Sequence, residues 1–210
     1  MSLLHVLVLA LVQGLAELLP VSSSAHVVVV EKLMGLDPSS PQMTLLLVIL
    51  HTGTMFSVIV YFWETWKQAY FRSRIQFQAF LIRACWAMLL TAVVGYPIIA
   101  VIERTLLKSV PKAEIEALFS RLDLVGPALL AGGVLIVIAG LKEAKAPAPS
   151  RASGEENGVT LRQAGWIGAI QGLCLPFRGF SRSGATISTG LLAGTAREAA
   201  ERFSFAWPFS

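Results

Sequence analysis

The sequence predicts an all-α membrane protein, a polytopic helix bundle with two opposed re-entrant helical hairpins that form an inverted repeat. Of its 210 residues, 55% are hydrophobic and 14% are charged, and the mean hydropathy is +0.67. An average soluble domain carries about 25% charged residues, so this composition is typical of an integral membrane protein. The second observation is a polar motif set between apolar helical segments, which recurs in weakened form in the second half of the chain.

The charge pattern argues against a nucleic-acid partner. The net charge is +4, but the lysines and arginines fall mainly between the apolar runs, where membrane proteins ordinarily carry them. The chain has neither a basic tail nor a basic stripe along one helix. We therefore expect membrane lipids, and no nucleic acid, around this protein.

Residues 1–34 are predicted to form the first re-entrant hairpin. A helix over residues 1–19 ends at Pro20, and a serine turn follows. The apolar run then resumes over residues 25–34, which is too short to cross a hydrocarbon core that needs about 20 helical residues. A helix, a polar turn and a short helix are tolerated at membrane depth where protein encloses them or where they line a wet cavity.

Three segments are predicted to cross the membrane, and they cover residues 44–62, 84–102 and 125–141. Trp63 and Trp66 follow the first of them, where we expect a membrane interface. His51 lies inside it and is favoured as a packed interior histidine over a catalytic one. Gly132 and Gly133 in the third segment predict close helix contact.

Residues 164–194 are predicted to form the second re-entrant hairpin. Its first helix covers residues 164–175 and ends at Pro176, and its second covers residues 184–194. A linker at 142–162, rich in proline, serine and glycine, separates the two halves. We therefore expect one membrane domain over residues 1–210, with a first repeat at about 1–102 and a second at about 125–210.

Counts of lysine and arginine predict the orientation. The loops at 64–83 and 142–162 must share one side and carry four such residues each, against four in the loop at 103–124. The positive-inside rule then places the first two loops in the cytoplasm. The two hairpins enter from opposite faces, and their polar turns are expected to meet near the midplane.

The turn from Arg178 to Gly184 has the composition of a phosphate site. It holds two serines, two glycines and two arginines, and it leads into a helix. A helix N-terminus offers unsatisfied N–H donors and partial positive charge, and arginine grips two phosphate oxygens at once. The simpler alternative is that the arginines reach a membrane interface and that the glycines permit tight packing.

The first motif supplies an acid, hydroxyls and an imidazole. Glu17 is a candidate ligand for a divalent cation or a candidate general base. His26 is a candidate to protonate a leaving group, to orient a hydroxyl or to attack phosphorus. Ser22, Ser23 and Ser24 are candidate nucleophiles or phosphate donors, although serines after a proline also cap helices, and at least one of them is expected to do only that.

These motifs resemble a known family. The pattern Q-x-x-x-E with PVSSSAH, and the later RGFSRSGATIS, are similar to the two signature motifs of the bacterial undecaprenyl-diphosphate phosphatase family of the bacitracin-resistance type. The resemblance implies catalytic roles for Glu17, Ser23, His26 and Arg182. It also implies a phosphate site made by Ser22, Ser24, Ser181, Arg182, Ser183, Gly184 and Thr186.

The resemblance further implies a divalent cation, Mg²⁺ or Ca²⁺, held by Glu17 and Gln13. Gln13 stands where many members of the family have a second glutamate. Two other features depart from the family pattern. Arg178 replaces the proline that usually precedes Gly179, and family members continue with further membrane helices where this chain stops at Ser210, so we expect a chain truncated relative to the family.

The function implied by the resemblance is hydrolysis of undecaprenyl diphosphate to undecaprenyl phosphate and inorganic phosphate. This reaction recycles the lipid carrier of peptidoglycan synthesis and confers bacitracin resistance. The implied location is the bacterial inner membrane, as a multi-pass protein whose partner is a polyprenyl diphosphate lipid; a homodimer is left open. The identity of the nucleophile is also left open, among Ser23, His26 and water. The alternative is a transporter or flippase of an anionic lipid or phosphate compound, since opposed hairpins also build translocation sites.

Overall fold

The computed structural model describes residues 2–106, 122–145, 158–177 and 179–206, and over these ranges the regular structure is all helical. The helices are α1 (Leu3–Leu18), α2 (Ser23–Leu33), α3 (Pro41–Tyr70), α4 (Arg74–Leu106), α5 (Leu122–Lys145), α6 (Leu161–Cys174), α7 (Arg182–Leu192) and α8 (Arg197–Phe205). The predicted all-α class is confirmed.

Three of these helices are long and apolar enough to cross a membrane. They are Pro41–Tyr70, Arg74–Ile102 and Val125–Lys145, each with a mean hydropathy of at least 2.0 in its most apolar window. They contain the three predicted spans at 44–62, 84–102 and 125–141. The chain is therefore a membrane protein, and a bundle of membrane helices is its architecture.

The polar segment at 64–83 is not the loop that the sequence suggested. α3 continues to Tyr70 and α4 begins at Arg74, so only residues 71–73 connect the two helices. The prediction was wrong because lysine, arginine and glutamine form helices well, and no glycine or proline interrupts this segment. Ser73 also caps the start of α4, where its hydroxyl accepts a 3.2 Å hydrogen bond from the Gln76 backbone N–H.

Each predicted hairpin is a pair of short helices that pack against one another. α1 and α2 form the first hairpin, and α6 and α7 form the second. The longest of the four, α1, has 16 residues and is therefore about 24 Å long, which falls short of a hydrocarbon core of about 30 Å. That the hairpins are re-entrant stays a prediction, as do the inverted repeat and the orientation. The loops at 103–124 and 142–162 lie largely outside the described residues.

Two hydrophobic cores hold together the part of the bundle that the structure describes. The first joins α1, α2 and α3 and consists of Leu9, Val27, Met43, Leu46 and Leu47. The second joins α4, α6 and α8 through Ala87, Ala164, Ile167 and Phe203, together with Val159 just before α6. α4 follows α3 in the chain, yet it packs mainly against the second hairpin.

Glycines on α6 allow that packing. A methyl group on Gly168 would collide with the backbone of Ala87, and one on Gly172 would lie 2.6 Å from the carbonyl oxygen of Thr91. Thr91 donates a hydrogen bond of 2.8 Å to the Gly168 carbonyl across the same interface. Small residues thus bring two backbones together, as is usual between membrane helices.

Of the two glycines predicted to permit close helix contact, Gly132 packs against another segment and Gly133 does not. A methyl group on Gly132 would lie 3.5 Å from the backbone nitrogen of Ser181, whereas nothing lies within 4 Å of one on Gly133. The contact of Gly132 is with the turn of the second hairpin and not with another helix of the bundle. Adjacent residues point about 100° apart on a helix, so two neighbouring glycines do not share one interface.

Candidate active site

The turns of the two hairpins meet inside the bundle. Gly184, in the first turn of α7, lies so close to the carbonyl oxygen of Pro20 in the first hairpin that a side chain there would collide with it. Gly179, in the second hairpin, has φ of +107° and packs against the carbonyl oxygen of Val125 on α5. Only glycine adopts this conformation without strain, so the turn depends on it.

A cavity of about 520 Å³ lies where these turns meet α3. From the first motif it is lined by Glu17, Ser22, Ser23 and Ser24, and from the second by Gly179, Ser181, Arg182 and Ser183. α3 contributes a mostly apolar wall that includes Leu47, Val48, Met55, Val58 and Ile59. The two motifs, about 160 residues apart in sequence, therefore form one site, as their resemblance to one another predicted.

Glu17 is the centre of the polar cluster from the first hairpin. The Ser23 hydroxyl donates a hydrogen bond of 2.7 Å to Glu17 Oε2, and Gln13 Nε2 donates one of 2.9 Å to the same oxygen. Gln13 and Glu17 share one face of α1, as their four-residue spacing predicted. The carboxylate is thus held beside a hydroxyl whose proton it is placed to accept.

Gln13 joins this cluster to α3. It is fully buried, and its Nε2 also lies 3.4 Å from Thr54 Oγ1, which in turn donates to the His51 carbonyl. The other amide atom of Gln13, Oε1, is buried without a hydrogen-bond partner. Nε2 is the amide atom that faces the Glu17 carboxylate, and Gln13, unlike Glu17, does not line the cavity.

The remaining residues of the first motif have different surroundings. Ser22 occupies the N-cap position of α2 but makes no capping hydrogen bond with its side chain; its hydroxyl lies 3.4 Å from that of Ser24. The capping role expected for one of these serines is therefore not made by Ser22. His26 is exposed and does not line the cavity, and its Nδ1 donates a hydrogen bond of 2.6 Å to the Ser22 carbonyl.

The second motif places a helix N-terminus on the cavity. Ser181 is the N-cap of α7, and its hydroxyl accepts a 3.1 Å hydrogen bond from the Gly184 N–H. The Ser183 hydroxyl lies 3.5 Å from that of Ser181. The partial positive charge of the helix dipole adds to these donors, so this end of the cavity favours an anion.

Arg182 supplies a full positive charge at the same place. It is half-buried, it lines the cavity, and its charge interacts with that of Glu17 on α1. The carboxylate of Glu17 from the first motif and the guanidinium of Arg182 from the second therefore line the same cavity. Arg178, the other arginine of the predicted phosphate site, lies outside the described residues.

Thr186 does not reach the cavity wall. It is 1% exposed, and its hydroxyl lies 2.8 Å from the Arg182 carbonyl and 2.6 Å from the Ser204 hydroxyl on α8. Ser204 does line the cavity. The structure thus places Thr186 behind the site, where it links α7 to α8.

Several cavity residues were not expected from the sequence. His51 lines the cavity and is half-buried, with its Nδ1 2.9 Å from the Leu47 carbonyl oxygen. Trp66, expected at a membrane interface, is 8% exposed, lines the cavity and donates from Nε1 to the Arg202 carbonyl at 3.2 Å. Gln171 is also buried on the wall. It begins the sequence Gln-Gly-Leu, as Gln13 does in the first motif, and this repeat was the one available signal.

The fold and the cavity define a helical membrane protein with a polar cavity, lined by Glu17 and Arg182, between two hairpin turns. Comparison with known proteins gives the family. The chain belongs to the family described as bacitracin resistance protein BacA, whose model matches residues 6–209. It is similar to undecaprenyl-diphosphatase 2 of Acinetobacter baylyi, with 53% identity over 211 residues that cover 98% of this chain and 69% of the relative.

Proposed function

We propose that this chain hydrolyses undecaprenyl diphosphate to undecaprenyl phosphate and inorganic phosphate. The observation that carries the proposal is the hydrogen bond of 2.7 Å from Ser23 to Glu17, inside a cavity that also holds the N-terminus of α7 and Arg182. A hydroxyl paired with a carboxylate and facing an anion site is an arrangement for phosphoryl transfer. The name of the relative from A. baylyi supports the same reaction.

The diphosphate group binds at the end of the cavity formed by the second motif. The N–H groups at the start of α7 and the Ser183 hydroxyl donate to phosphate oxygens, and the Arg182 guanidinium contributes a bidentate contact. The apolar wall on α3 suits the isoprenyl chain next to the diphosphate. Binding in this orientation brings the terminal phosphorus towards Ser23.

Ser23 then attacks that phosphorus. Glu17 accepts the proton of the Ser23 hydroxyl, a bond forms from Ser23 Oγ to the terminal phosphorus, and the bridging P–O bond breaks with its electrons on undecaprenyl phosphate. Arg182 and the α7 N-terminus stabilise the charge on the transferred group. The product of this step is a phosphoserine and the released lipid monophosphate.

Water completes the reaction. After Glu17 has lost its proton to solvent, it accepts one from a water molecule that attacks the phosphoserine. The bond from phosphorus to Ser23 Oγ breaks, Ser23 Oγ takes the proton from Glu17, and inorganic phosphate leaves. Ser23 is preferred to His26 as nucleophile because His26 is exposed and does not line the cavity.

A divalent cation, Mg²⁺ or Ca²⁺, is part of this proposal. Glu17, which lines the cavity, would hold it, and Gln13 would contribute Oε1 after its amide turns so that this oxygen takes the place of Nε2 beside the carboxylate. Among the described residues no group of three or more metal-binding side chains occurs, so water and phosphate oxygens would complete the coordination, as is usual for Mg²⁺. Bound there, the ion would neutralise charge on the diphosphate.

We place the protein in the bacterial inner membrane as a multi-pass protein that recycles the lipid carrier of peptidoglycan synthesis. The description of the family as bacitracin resistance protein supports a role in resistance to that antibiotic. Support comes from the three long apolar helices and from the family. The homodimer stays open.

The deciding experiment measures phosphate release by the purified protein from undecaprenyl diphosphate, before and after chelation and re-addition of Mg²⁺ or Ca²⁺. We expect release that depends on Glu17 and that falls on chelation. A protein that binds the lipid and moves it between the leaflets of a vesicle without releasing phosphate would instead be a transporter. Release unaffected by chelation would remove the cation from the proposal and leave the hydrolysis.

A further inference from the structure

Helix α8 contributes one hydroxyl to the cavity although it belongs to neither motif. Ser204 lines the cavity together with its neighbour Phe205. α8 is anchored to α3 on one side by the hydrogen bond from Trp66 to the Arg202 carbonyl and by stacking of Phe62 on Phe205, with ring centroids 5.3 Å apart. The Ser204 hydroxyl is therefore held in a fixed place on the wall.

The hydrogen-bond partners of Ser204 and Thr186 allow two arrangements of their hydroxyl hydrogens. Its Oγ lies 2.6 Å from Thr186 Oγ1, and that oxygen lies 2.8 Å from the Arg182 carbonyl and 3.2 Å from the Ser183 carbonyl. Carbonyl oxygens only accept, and each hydroxyl has one hydrogen to donate. When Thr186 donates to a carbonyl, Ser204 donates to Thr186. When Thr186 donates to Ser204, the Ser204 hydrogen is available to the cavity.

We propose that Ser204 is a phosphate-binding residue of this site and that Thr186 acts through it. In the empty cavity Thr186 donates to the Arg182 carbonyl and Ser204 donates to Thr186. An anion in the cavity reverses both hydroxyls, so that Thr186 donates to Ser204 and Ser204 donates to a phosphate oxygen. Both arrangements contain two hydrogen bonds. The second is more stable because the phosphate oxygen that accepts from Ser204 is charged.

This inference rests on the proposed function, since the ligand is taken to be a phosphate group. It explains how Thr186, which is 1% exposed, contributes to phosphate binding without touching the cavity. Ser204 is the residue that touches the ligand, and Thr186 is a positioning residue.

The test uses inorganic phosphate as the probe. Its affinity is obtained from the rise in the unfolding midpoint with phosphate concentration, and kcat and KM are measured on undecaprenyl diphosphate for the same proteins. Ser204→Ala is expected to weaken phosphate binding about tenfold, the loss of one hydrogen bond to a charged acceptor. Ser204→Thr retains the hydroxyl and should restore most of the affinity.

Thr186→Val separates this proposal from a structural role. Valine has no hydroxyl to accept the Ser204 hydrogen, so Ser204 can still donate that hydrogen to phosphate. Thr186→Val should therefore weaken phosphate binding less than Ser204→Ala does. The matched control is Ser57→Ala on α3, which removes a hydroxyl that bonds to the Gly53 carbonyl of its own helix. If Ser204→Ala does not fold, Ser204→Cys serves in its place, because a thiol donates weakly.

Equal phosphate affinity in Ser204→Ala and the unaltered protein would overturn the proposal, and so would a loss in Thr186→Val as large as that in Ser204→Ala. These outcomes differ from failure of the proposed function. That failure is seen in the unaltered protein, as an absence of phosphate release from undecaprenyl diphosphate. An unaltered protein that releases phosphate, combined with a Ser204→Ala variant that binds it normally, refutes the present inference alone.

Discussion

The α-carbon of Gly184 packs against the carbonyl oxygen of Pro20, which joins the start of α7 to the turn of the first hairpin. This contact brings the second motif to the first. A larger residue at position 184 has to separate the two turns, and the distances across the cavity change with them.

Gly184→Ala is therefore expected to lower kcat/KM strongly and to destabilise the protein by about 1–3 kcal/mol, the usual range for overpacking. Gly133→Ala is the control, because nothing lies within 4 Å of a methyl group at that helical position. Phosphate release and the unfolding midpoint measure the two effects. Normal activity in Gly184→Ala would show that the turns do not need this close approach.

Glu17→Gln tests the proposed base. The amide keeps the shape of the side chain and cannot accept the Ser23 proton in the same way, so kcat is expected to fall by about 10²–10⁴. Glu64→Gln, whose side chain is 71% exposed on α3, is the control. A folded Glu17→Gln protein with near-normal kcat would rule Glu17 out as base.

Ser23→Ala and Ser24→Ala distinguish the nucleophile from its neighbour. Both serines line the cavity, but the hydrogen bond to Glu17 is made by Ser23. We expect Ser23→Ala to lose nearly all activity and Ser24→Ala to lose much less. Rapid quenching with labelled diphosphate should trap phosphate on the unaltered protein and not on Ser23→Ala. Turnover by Ser23→Ala at a normal rate would point to water as the nucleophile.

Arg182→Lys tests whether a positive charge alone is sufficient for activity. Lysine keeps the positive charge and loses the planar fork that grips two phosphate oxygens, so most of the activity should be lost, and Arg182→Ala should lose nearly all of it. The control is Arg72→Ala at the exposed connection between α3 and α4. Measurement of kcat/KM on a soluble short-chain isoprenyl diphosphate checks this order. Full activity of Arg182→Lys would contradict a bidentate contact.

The ion pair between Arg197 and Glu143 is expected to matter little for stability. The hydrogen bond that the Arg197 guanidinium donates to the Glu143 carboxylate is the main cause of the raised pKa of Arg197, but both side chains are at least 35% exposed. Arg197→Met should therefore cost at most about 1 kcal/mol. Because the folded-state pKa is raised, the contribution of Arg197 is complete below the unfolded-state pKa and is lost only as pH rises through the folded-state value. The effect of the substitution on the unfolding midpoint should thus be the same at pH 6 and pH 8, and a large difference would contradict this.

The sequence by itself determined the class of fold, the three spans, the two hairpins and both motifs. These features follow from local properties. Long apolar runs need lipid around them, Pro20 and Pro176 end helices, and a serine-rich and arginine-rich turn before a helix favours an anion. The pairing of Gln13 with Glu17 likewise depended on helical spacing alone.

Only the tertiary structure decided which residues face the cavity. Ser23 and Ser24 are neighbours in sequence, yet the packing of α2 against α1 gives the contact with Glu17 to Ser23. His26 is exposed, whereas Ser204 and Trp66 reach the cavity from helices that no motif marks. The physical reason is that a side chain's surroundings are set by which helices pack together, and close contacts such as that of Gly184 with Pro20 join segments far apart in the chain.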